Sequence, residues 1–392
     1  MFPAVQNYQS YKVNLPMNET FDPAKVKQRS NLLDDGFIFV PRSEKQGKDG
    51  TSAERVAEFL AMVEDRQDLS PKTMAQYRYH FQVFLSYWTL DDLRELDREN
   101  AEKLLGLIYM LPKNARRISE LRDLNGFELL QKNEIIGSEV IARRTAKKIV
   151  NLLSTFFSWA QSRGYVDENP FHRLRVRKAL CNDRRYQFSS NDLVLIFSMS
   201  DYQRGKFLHS YYYWLPLLLR FTGARLNELC QLYKQDLVYV DGMWGIVICA
   251  RHTGQRLKND SSTRFIPLHP ALISRGFIEF VKSRSDERVF SELPLVNGYY
   301  SHNASKWFAR RRESLGLGKG RDAHSFRHTF VDELKQSGTP IEVIQELVGH
   351  SSNSVTTAVY SRSYKPEVLL NALSHLDDSH VAPIRPYSDY LA

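Results

Sequence analysis

Five residues of this 392-residue chain have the types and the spacing that chemistry on a phosphodiester needs. His324 and Arg327 lie three positions apart. His350 follows a glycine, Tyr360 comes ten positions later, and Arg225 stands far upstream in TGARLNEL. Two guanidinium groups can hold the non-bridging oxygens of a phosphate and neutralise the charge that develops during attack. A tyrosine hydroxyl has a pKa of about 10, so it needs a proton acceptor or a cationic field, which the histidines and arginines supply.

Local patterns place these arginines near the start of helices. An apolar helix is predicted over about residues 208–221, and Thr222-Gly223 ends it just before Arg225. Because Arg225 opens the next helix, we expect its guanidinium to face an anion together with the N-terminal amides of that helix. His324 precedes Arg327 by about one turn of a predicted helix, which puts the imidazole and the second guanidinium on one side.

The rest of the C-terminal half predicts a small sheet and more helices. VYV, a turn at Asp241-Gly242, MWGIVIC and STRFIPL are typical of three antiparallel strands. Helices are predicted to begin at Ser190 and Pro270 and to cover residues 304–312, 325–336, 341–347 and 366–376. The last helix is amphipathic, and its apolar side consists of Val368, Leu369, Ala372, Leu373 and Leu376.

The N-terminal half predicts a small all-helical domain that follows a polar linker ending in SEKQGKDGTS. Ser70-Pro71 begins its second helix, with serine as N-cap and proline in the first turn. Two more helices are predicted over about residues 100–110 and 138–163. The apolar face of the first helix consists of Val56, Phe59, Leu60 and Val63.

Charge and composition favour a nucleic acid as the partner. The formal net charge is +9, and a basic chain favours a polyanion such as nucleic acid or an anionic membrane face. Three scattered cysteines without CxxC spacing argue against a disulfide framework or a zinc site and favour the reducing cytoplasm. The chain shows no signal-peptide pattern and no apolar run of the roughly 18 residues that span a bilayer. We therefore expect no membrane partner, and a nucleic acid is the favoured anionic partner.

A long run of basic residues spans the predicted junction between the two halves. A single charge cluster is usually just a solvated helix face. This run is long and one-signed, so we interpret it as a surface that lies along DNA phosphates and displaces their counterions. The candidate contacts are Arg143, Arg144, Lys147, Lys148, Arg173, Arg175, Arg177 and Lys178.

Five segments, taken together and in order, resemble the motifs of a known family. They are TGARLNEL, LKNDSSTRFIPLHP, HSFRHTF, LVGHSS and TTAVYSR. These look like the successive motifs of the tyrosine recombinases, the integrase family of phages and mobile elements, and the likeness covers about residues 50–376. It implies a mainly α fold with a small antiparallel β-sheet, built as a two-domain, C-shaped DNA clamp.

The resemblance also implies which groups act on the phosphate. Arg225 and Arg327 become its two ligands, and Tyr360 becomes the nucleophile that forms a 3′-phosphotyrosyl link. The interval from His350 to Tyr360 is one residue longer than the family pattern leads us to expect. Tyr364 is the nearby alternative, but Tyr360 follows the threonine-rich turn that usually precedes the nucleophile.

Further roles follow from the same likeness. Lys258, in the loop of the β-hairpin, would be the general acid that protonates the departing 5′-oxygen, with Arg256 as its rival. His324 would assist proton transfer at the tyrosine, and His350 would bind the scissile phosphate. Glu228 would orient His324 or Arg225, unless it is merely a residue of a helix surface.

The resemblance implies a site-specific DNA recombinase or integrase that needs no cofactor, metal or ATP. Two rivals stay open, a non-catalytic DNA-binding protein of the same fold and a type IB topoisomerase. The implied partners are double-stranded DNA, further copies forming a homotetramer on two sites through exchange of the C-terminal helix, and accessory DNA-bending or directionality factors. Packing of that helix on its own domain is the alternative to exchange.

The predicted segments are an extension with a linker (1–50), a core-binding domain (51–172), a basic linker (173–185), a catalytic domain (186–376) and a tail (377–392).

Overall fold

A computed structural model describes residues 50–67, 69–177, 186–257, 262–350 and 363–390. The chain divides into two compact units, 1–182 and 183–392. The division falls within the predicted basic linker. Both units are dominated by helices, and the second also contains a three-stranded antiparallel sheet. The predicted mainly α class with one small sheet is therefore confirmed.

The first unit is all-helical over its described residues. Its helices are α1 (Ser52–Asp65), α2 (Pro71–Tyr87), α3 (Arg98–Met110), α4 (Gly126–Ile136) and α5 (Arg143–Ser162). Short 3₁₀ turns cover Leu93–Glu95 and Ala115–Arg117.

Capping and apolar periodicity explain where the first two helices begin and what they bury. Thr51 caps α1 through a reciprocal pair of hydrogen bonds with Glu54, and Ser70 caps α2 just before Pro71. The four residues predicted for the apolar face of α1 are all buried. The Phe156 ring of α5 meets the rings of Phe59 and Phe81 edge to face, with centroids 5.4 and 5.2 Å away. Such aromatic pairs add about 0.5–1.5 kcal/mol each beyond the area they bury.

The predicted fourth helix was wrong at its N-terminus, and one helix was missed. Residues 139–141 are extended, because Lys113 N donates to Glu139 O and Ile141 N donates to Leu111 O. These hydrogen bonds between distant segments of the chain keep the backbone extended, so the helix begins only at Arg143. The missed helix, α4, ends at Gly137 in a left-handed conformation.

The second unit contains ten helices among its described residues. They are α6 (Ser190–Phe197), α7 (Ser200–Arg204), α8 (Ser210–Thr222), α9 (Leu226–Cys230), α10 (Pro270–Ile273), α11 (Phe277–Ser283), α12 (Ser301–Ser314), α13 (Ala323–Gln336), α14 (Ile341–Val348) and α15 (Pro366–Leu373). Short 3₁₀ turns cover Lys234–Asp236, Ser379–Val381 and Tyr387–Tyr390.

The sheet of the second unit has the predicted hairpin. Its strands are β1 (Leu237–Val240), β2 (Met243–Ile248) and β3 (Arg264–Pro267), in that order and antiparallel. Asp241 and Gly242 both have positive φ, as a tight two-residue turn requires. In the β2–β3 pairing, Ile248 lies opposite Arg264 and Ile246 lies opposite Ile266. Side chains alternate along a strand, so Arg264 lies on the same side of β3 as buried Ile266.

The break between α8 and α9 brings a third helix close. Thr222 Oγ1 donates to Leu218 O and accepts from Ala224 N, which ends α8. Gly223 has a φ of 60°, and a Cβ there would lie 2.5 Å from the Phe330 ring of α13. Only glycine fits both the left-handed backbone and the approach of α13. The helices that carry Arg225 and Arg327 are thereby brought together.

The C-terminal helix α15 packs on its own unit in this single chain. It contacts β3 and α14, and Leu369 and Leu373 belong to the unit's core, whereas Val368 is 42% exposed. Val368, which was predicted for the apolar side of this helix, therefore lies outside its buried surface. Packing on its own domain is the arrangement of α15 in a single chain, and exchange of this helix between copies stays a prediction.

Residues 377–390 continue this packing. Val381 and Ile384 are buried in the same core, and Arg275 donates to the carbonyl of Val381. Fully buried Arg220 lies 2.7 Å from both Glu333 Oε2 and the carbonyl oxygen of Asp377. The tail thus supplies acceptors to charged groups inside the unit.

Candidate active site

Arg225 is the N-cap residue of α9 and is held by Glu228 one turn later. Glu228 Oε1 lies 2.6 Å from Arg225 Nη1, and Glu228 Oε2 accepts from the Arg225 backbone N–H at 2.9 Å. That N–H is therefore not available to an anion. The Glu228 side chain is only 3% exposed, so it is not a surface residue, and of the two partners predicted for it the structure shows a bond to Arg225.

Arg264 is a functional candidate that the sequence analysis missed. Its guanidinium is buried and donates to Glu228 Oε2 at 2.8 Å, to the Ser262 carbonyl at 2.7 Å and to the Leu347 carbonyl at 2.8 Å. The strand pattern held the signal: Arg264 alternates inward with Ile266, and a buried guanidinium needs a carboxylate partner.

Arg327 lies in α13, buried against the break that precedes Arg225. Its Nη1 donates to the carbonyl of Gly223 at 3.0 Å. Its Nη2 is buried and has no hydrogen-bond partner within the described parts of the chain. A buried guanidinium donor without a partner carries a desolvation cost that a bound anion would remove.

The charges around Arg327 also favour the binding of an anion. Burial and, to a smaller extent, the positive charges of Arg225 and Arg264 together lower the pKa of Arg327 to about 9, against a smaller opposing effect of Glu228. Burial acts to raise the pKa of Glu228, but Arg264 and the hydrogen bonds from both neighbouring arginines outweigh it and hold that pKa below its usual value. Two guanidinium groups thus bind one carboxylate and a third lies near it, which leaves a local excess of positive charge.

The two candidate histidines lie at helix ends. His324 is half-buried in the first turn of α13; its backbone N–H donates to Asp322, and its ring meets the His328 ring at 4.9 Å. His350 is exposed and directly follows α14, where its N–H donates to the carbonyl of Gln345. Both backbone positions are defined by capping interactions.

Lys258 and Tyr360 lie outside the described residues, and so does Lys178. The described part of the loop before Lys258 is hydrogen-bonded to Gln231, the residue at the C-terminal end of α9. Gln231 Oε1 accepts from Arg256 N at 3.0 Å, and Gln255 Nε2 donates to the carbonyl of Gln231 at 3.0 Å. Tyr364 donates its backbone N–H to the Glu346 carboxylate.

Three of the predicted DNA-contact residues of the first unit lie together around one cavity, which we term the basic face. Lys147, Arg175 and Arg177 line a cavity of about 680 Å³ together with Asn151, Leu174 and Val176. Arg143 is half-buried and lies over the Tyr109 ring at 3.7 Å. The remaining described candidates are exposed, namely Arg144, Lys148 and Arg173.

The described residues contain neither a candidate metal site nor a candidate membrane span. Across these parts of the chain, no cluster of three or more His, Cys, Asp or Glu side chains is placed to hold a metal ion. No helix among them has both the length and the apolar character to cross a bilayer.

Comparison with known proteins identifies relatives among the tyrosine recombinases. Residues 187–367 match the phage integrase family. A tyrosine recombinase of Pseudothermotoga lettingae is 28% identical over 258 residues, which cover 64% of this chain and 82% of the relative. Tyrosine recombinase XerC of Bacillus pumilus is 27% identical over 285 residues, which cover 66% and 85% of the two chains.

Two solved structures share the fold. A lambda integrase dimer bound to a COC′ core site is 18% identical, with a TM-score of 0.54 over 80% of this chain and 98% of that one. The Tn1549 transposon integrase in complex with a circular intermediate DNA is 18% identical, with a TM-score of 0.55 over 81% and 96%. At these identities the likeness concerns the fold. Taken with the match of residues 187–367 to the phage integrase family and with the curated relatives, it supports a tyrosine recombinase, that is, a site-specific recombinase enzyme.

Proposed function

We propose that this recombinase cleaves and rejoins double-stranded DNA through a covalent link to Tyr360. The Tyr360 hydroxyl attacks the scissile phosphorus, the bond from phosphorus to the 5′-oxygen breaks, and a 3′-phosphotyrosyl link and a free 5′-hydroxyl result. A 5′-hydroxyl from a partner strand then attacks the phosphotyrosine, which restores the phosphodiester and releases Tyr360.

The observation that carries the proposal is the unpartnered Arg327 Nη2 beside the Glu228-held Arg225. A phosphate between the two guanidinium groups would accept from both, and its charge would balance the local excess. The extra negative charge of the pentacoordinate transition state strengthens both contacts relative to the ground state. Removing one such donor typically costs about 10²–10³ in rate.

We infer the other roles from the family motifs. Lys258 protonates the departing 5′-oxygen, His324 assists removal of the Tyr360 proton, and His350 donates to the scissile phosphate. No metal ion or nucleotide takes part in this scheme, because each step exchanges one phosphate ester for another and conserves its energy.

We infer that both units contact the DNA. The basic face of the first unit supplies phosphate contacts through exposed residues such as Lys147 and Arg175. Exchange of strands between two sites implies four copies, and the lambda integrase structures include a tetramer bound to a Holliday junction. Exchange of α15 between copies would transfer the apolar side that bears Leu369 and Leu373 to a neighbour. Accessory DNA-bending or directionality factors are further proposed partners. We also propose a cytoplasmic location, where the buried thiols of Cys230 and Cys249 stay reduced.

The test uses supercoiled plasmids that carry the DNA flanking the gene, because an element integrase usually lies beside its own attachment site. The purified protein is incubated with plasmids bearing one or two copies, stopped with detergent, and the DNA ends of covalent adducts are sequenced. We expect adducts at one position with wild type and Tyr364→Phe and none with Tyr360→Phe. Adducts formed by Tyr360→Phe would refute the assignment of the nucleophile.

The plasmid products separate the rival functions. A recombinase exchanges segments when two sites are present. A type IB topoisomerase relaxes supercoils without pairing sites, and a non-catalytic binder yields neither product nor adduct.

A further inference from the structure

Arg264 joins three parts of the second unit through one side chain. Its Nη2 donates to Glu228 of α9, its Nη1 to the carbonyl of Ser262 just before β3, and its Nε to the carbonyl of Leu347 in α14. The side chain is 3% exposed, which leaves it little surface for DNA. Any effect of Arg264 on the proposed phosphate site must therefore pass through the residues that it contacts.

The first of these neighbours leads to Arg225. Glu228 Oε2 accepts from Arg264 Nη2 and from the Arg225 backbone, while Glu228 Oε1 accepts from Arg225 Nη1. The carboxylate is buried, so its orientation depends on the fork that Arg264 presents. A change at Arg264 would turn Glu228 and, through it, the guanidinium of Arg225.

The second neighbour leads to His350. Leu347 lies in the last turn of α14, and the helix ends at Gly349 with a φ of 65°. A Cβ at Gly349 would lie 2.8 Å from Arg264 Nη1, so the chain turns directly over the guanidinium. His350 follows that turn, and its position depends on the same contact.

We propose that Arg264 is a positioning residue that sets Arg225 and the turn before His350 relative to one another, without itself touching the DNA. This inference rests on the proposed role of Arg225 as a ligand of the scissile phosphate. The three acceptors lie around the edge of a planar group with several N–H donors. Lysine has one compact ammonium group and cannot reach all three at once.

A purely structural role is the competing explanation, because a buried ion pair also affects folding. The two roles differ in how the reaction responds to charge on the phosphate. The probe is a duplex oligonucleotide with the scissile phosphate mapped on the flanking DNA, made as a phosphodiester and as a neutral methylphosphonate. The quantity measured is the rate of adduct formation on the phosphodiester divided by that on the methylphosphonate.

Arg225→Ala is expected to lower this ratio, because the methylphosphonate lacks the charge that Arg225 neutralises. We expect Arg264→Lys and Arg264→Met to slow the phosphodiester reaction about 10²-fold and to lower the ratio towards that of Arg225→Ala. In the Arg225→Ala background, Arg264→Lys should slow the reaction less than it does in the wild-type background, because the part of its effect that acts through Arg225 is already lost.

Arg275→Met is the matched control, since Arg275 is a buried arginine that donates to the carbonyls of Ala271 and Val381. It should leave the ratio at the wild-type value. The proposal is overturned if the Arg264 variants slow both substrates equally. It is also overturned if neither Arg264 variant folds while Arg275→Met does, because Arg264 is then a requirement of the fold. If Arg225→Ala leaves the ratio unchanged, the proposed phosphate contact of Arg225 fails, and the inference falls with it.

Discussion

Glu228 and Arg225 lie 2.6 Å apart, and the carboxylate is 3% exposed whereas the guanidinium is 21% exposed. One partner is anchored inside the protein and the other reaches the surface. The burial of Glu228 therefore restricts an arginine that still has access to a ligand. A phosphate bound at Arg225, as proposed, would therefore meet a guanidinium that is already held in place before binding.

Replacing Glu228 should reveal a stability contribution that depends on pH. Its pKa is below the usual value in the folded chain, so the unfolded chain binds the proton more tightly. The carboxylate therefore stabilises the fold fully above about pH 4.5, its unfolded pKa, and this contribution is lost as pH falls through the lower folded value. Glu228→Gln should cost about 3–5 kcal/mol at neutral pH, because it leaves buried Arg264 without its charge partner.

Urea denaturation from pH 7 to pH 3 measures this effect. In the variant, the loss of stability on acidification should be smaller than in wild type. Glu102→Gln is the control, since Glu102 forms a solvent-exposed pair with Arg98 and should matter by at most about 1 kcal/mol. Equal effects of the two substitutions would contradict the prediction.

Arg327 should lower stability in the absence of an anion. Its folded pKa of about 9 is below the usual value, so the protonated group disfavours the fold, and stability should rise with pH above about 9. Arg327→Met should raise the free energy of unfolding by about 1–4 kcal/mol, because it removes a buried charge whose partners are incomplete. The same variant should lose about 10²–10³ in the rate of adduct formation.

Sulfate provides a direct test of the anion site, because it resembles a phosphate in shape and charge. An anion at ten times its Kd adds about 1.4 kcal/mol, or about 3–5 °C in Tm for a unit of this size. Thermal melts in sulfate and in chloride of equal ionic strength should show this rise in wild type and only the general salting effect in Arg327→Met. The same response in both proteins would rule out Arg327 as the ligand.

The packing of α15 on its own unit predicts different costs on its two sides. Leu373→Ala should destabilise by about 2–5 kcal/mol, because Leu373 is fully buried. Val368→Ala, on the same helix and 42% exposed, should change stability by less than about 0.5 kcal/mol. Both are measured by urea denaturation at concentrations where the protein is a monomer. Similar small effects would mean that the monomer does not hold α15 in place.

The basic face of the first unit predicts the salt dependence of DNA binding. Lys147→Gln and Arg175→Gln should each reduce the slope of log K against log salt by about 0.9, because each removes one phosphate contact. Binding of a fluorescent random-sequence duplex, titrated at several salt concentrations, gives the slope. Lys113→Gln is the control, since Lys113 is paired with Glu139 at 2.8 Å. An unchanged slope in the first two variants would remove them from the interface.

Much of the fold was predictable because its signals are local. The 3.6-residue period placed Val56 and Phe59 on the buried side of α1, and Asp241-Gly242 identified the hairpin. The start of α5 was not predictable, because hydrogen bonds to residues 111–113 hold the preceding residues in an extended form. Backbone partners of that kind are distant in sequence and leave no local pattern.

For the site, the ordered motifs that contain Arg225, His324, Arg327 and His350 were enough to reveal the family resemblance and the residue types available for the chemistry. How these side chains are held depends on contacts that form only in the folded chain. Glu228 and Arg264 are 36 positions apart, and Arg264 and Leu347 are 83 apart. Whether a charge is buried, paired or left with a free donor depends on what the fold packs around it. Desolvation and hydrogen bonding act through space, so the demand of Arg327 for an anion emerges only when α8, α9 and α13 come together.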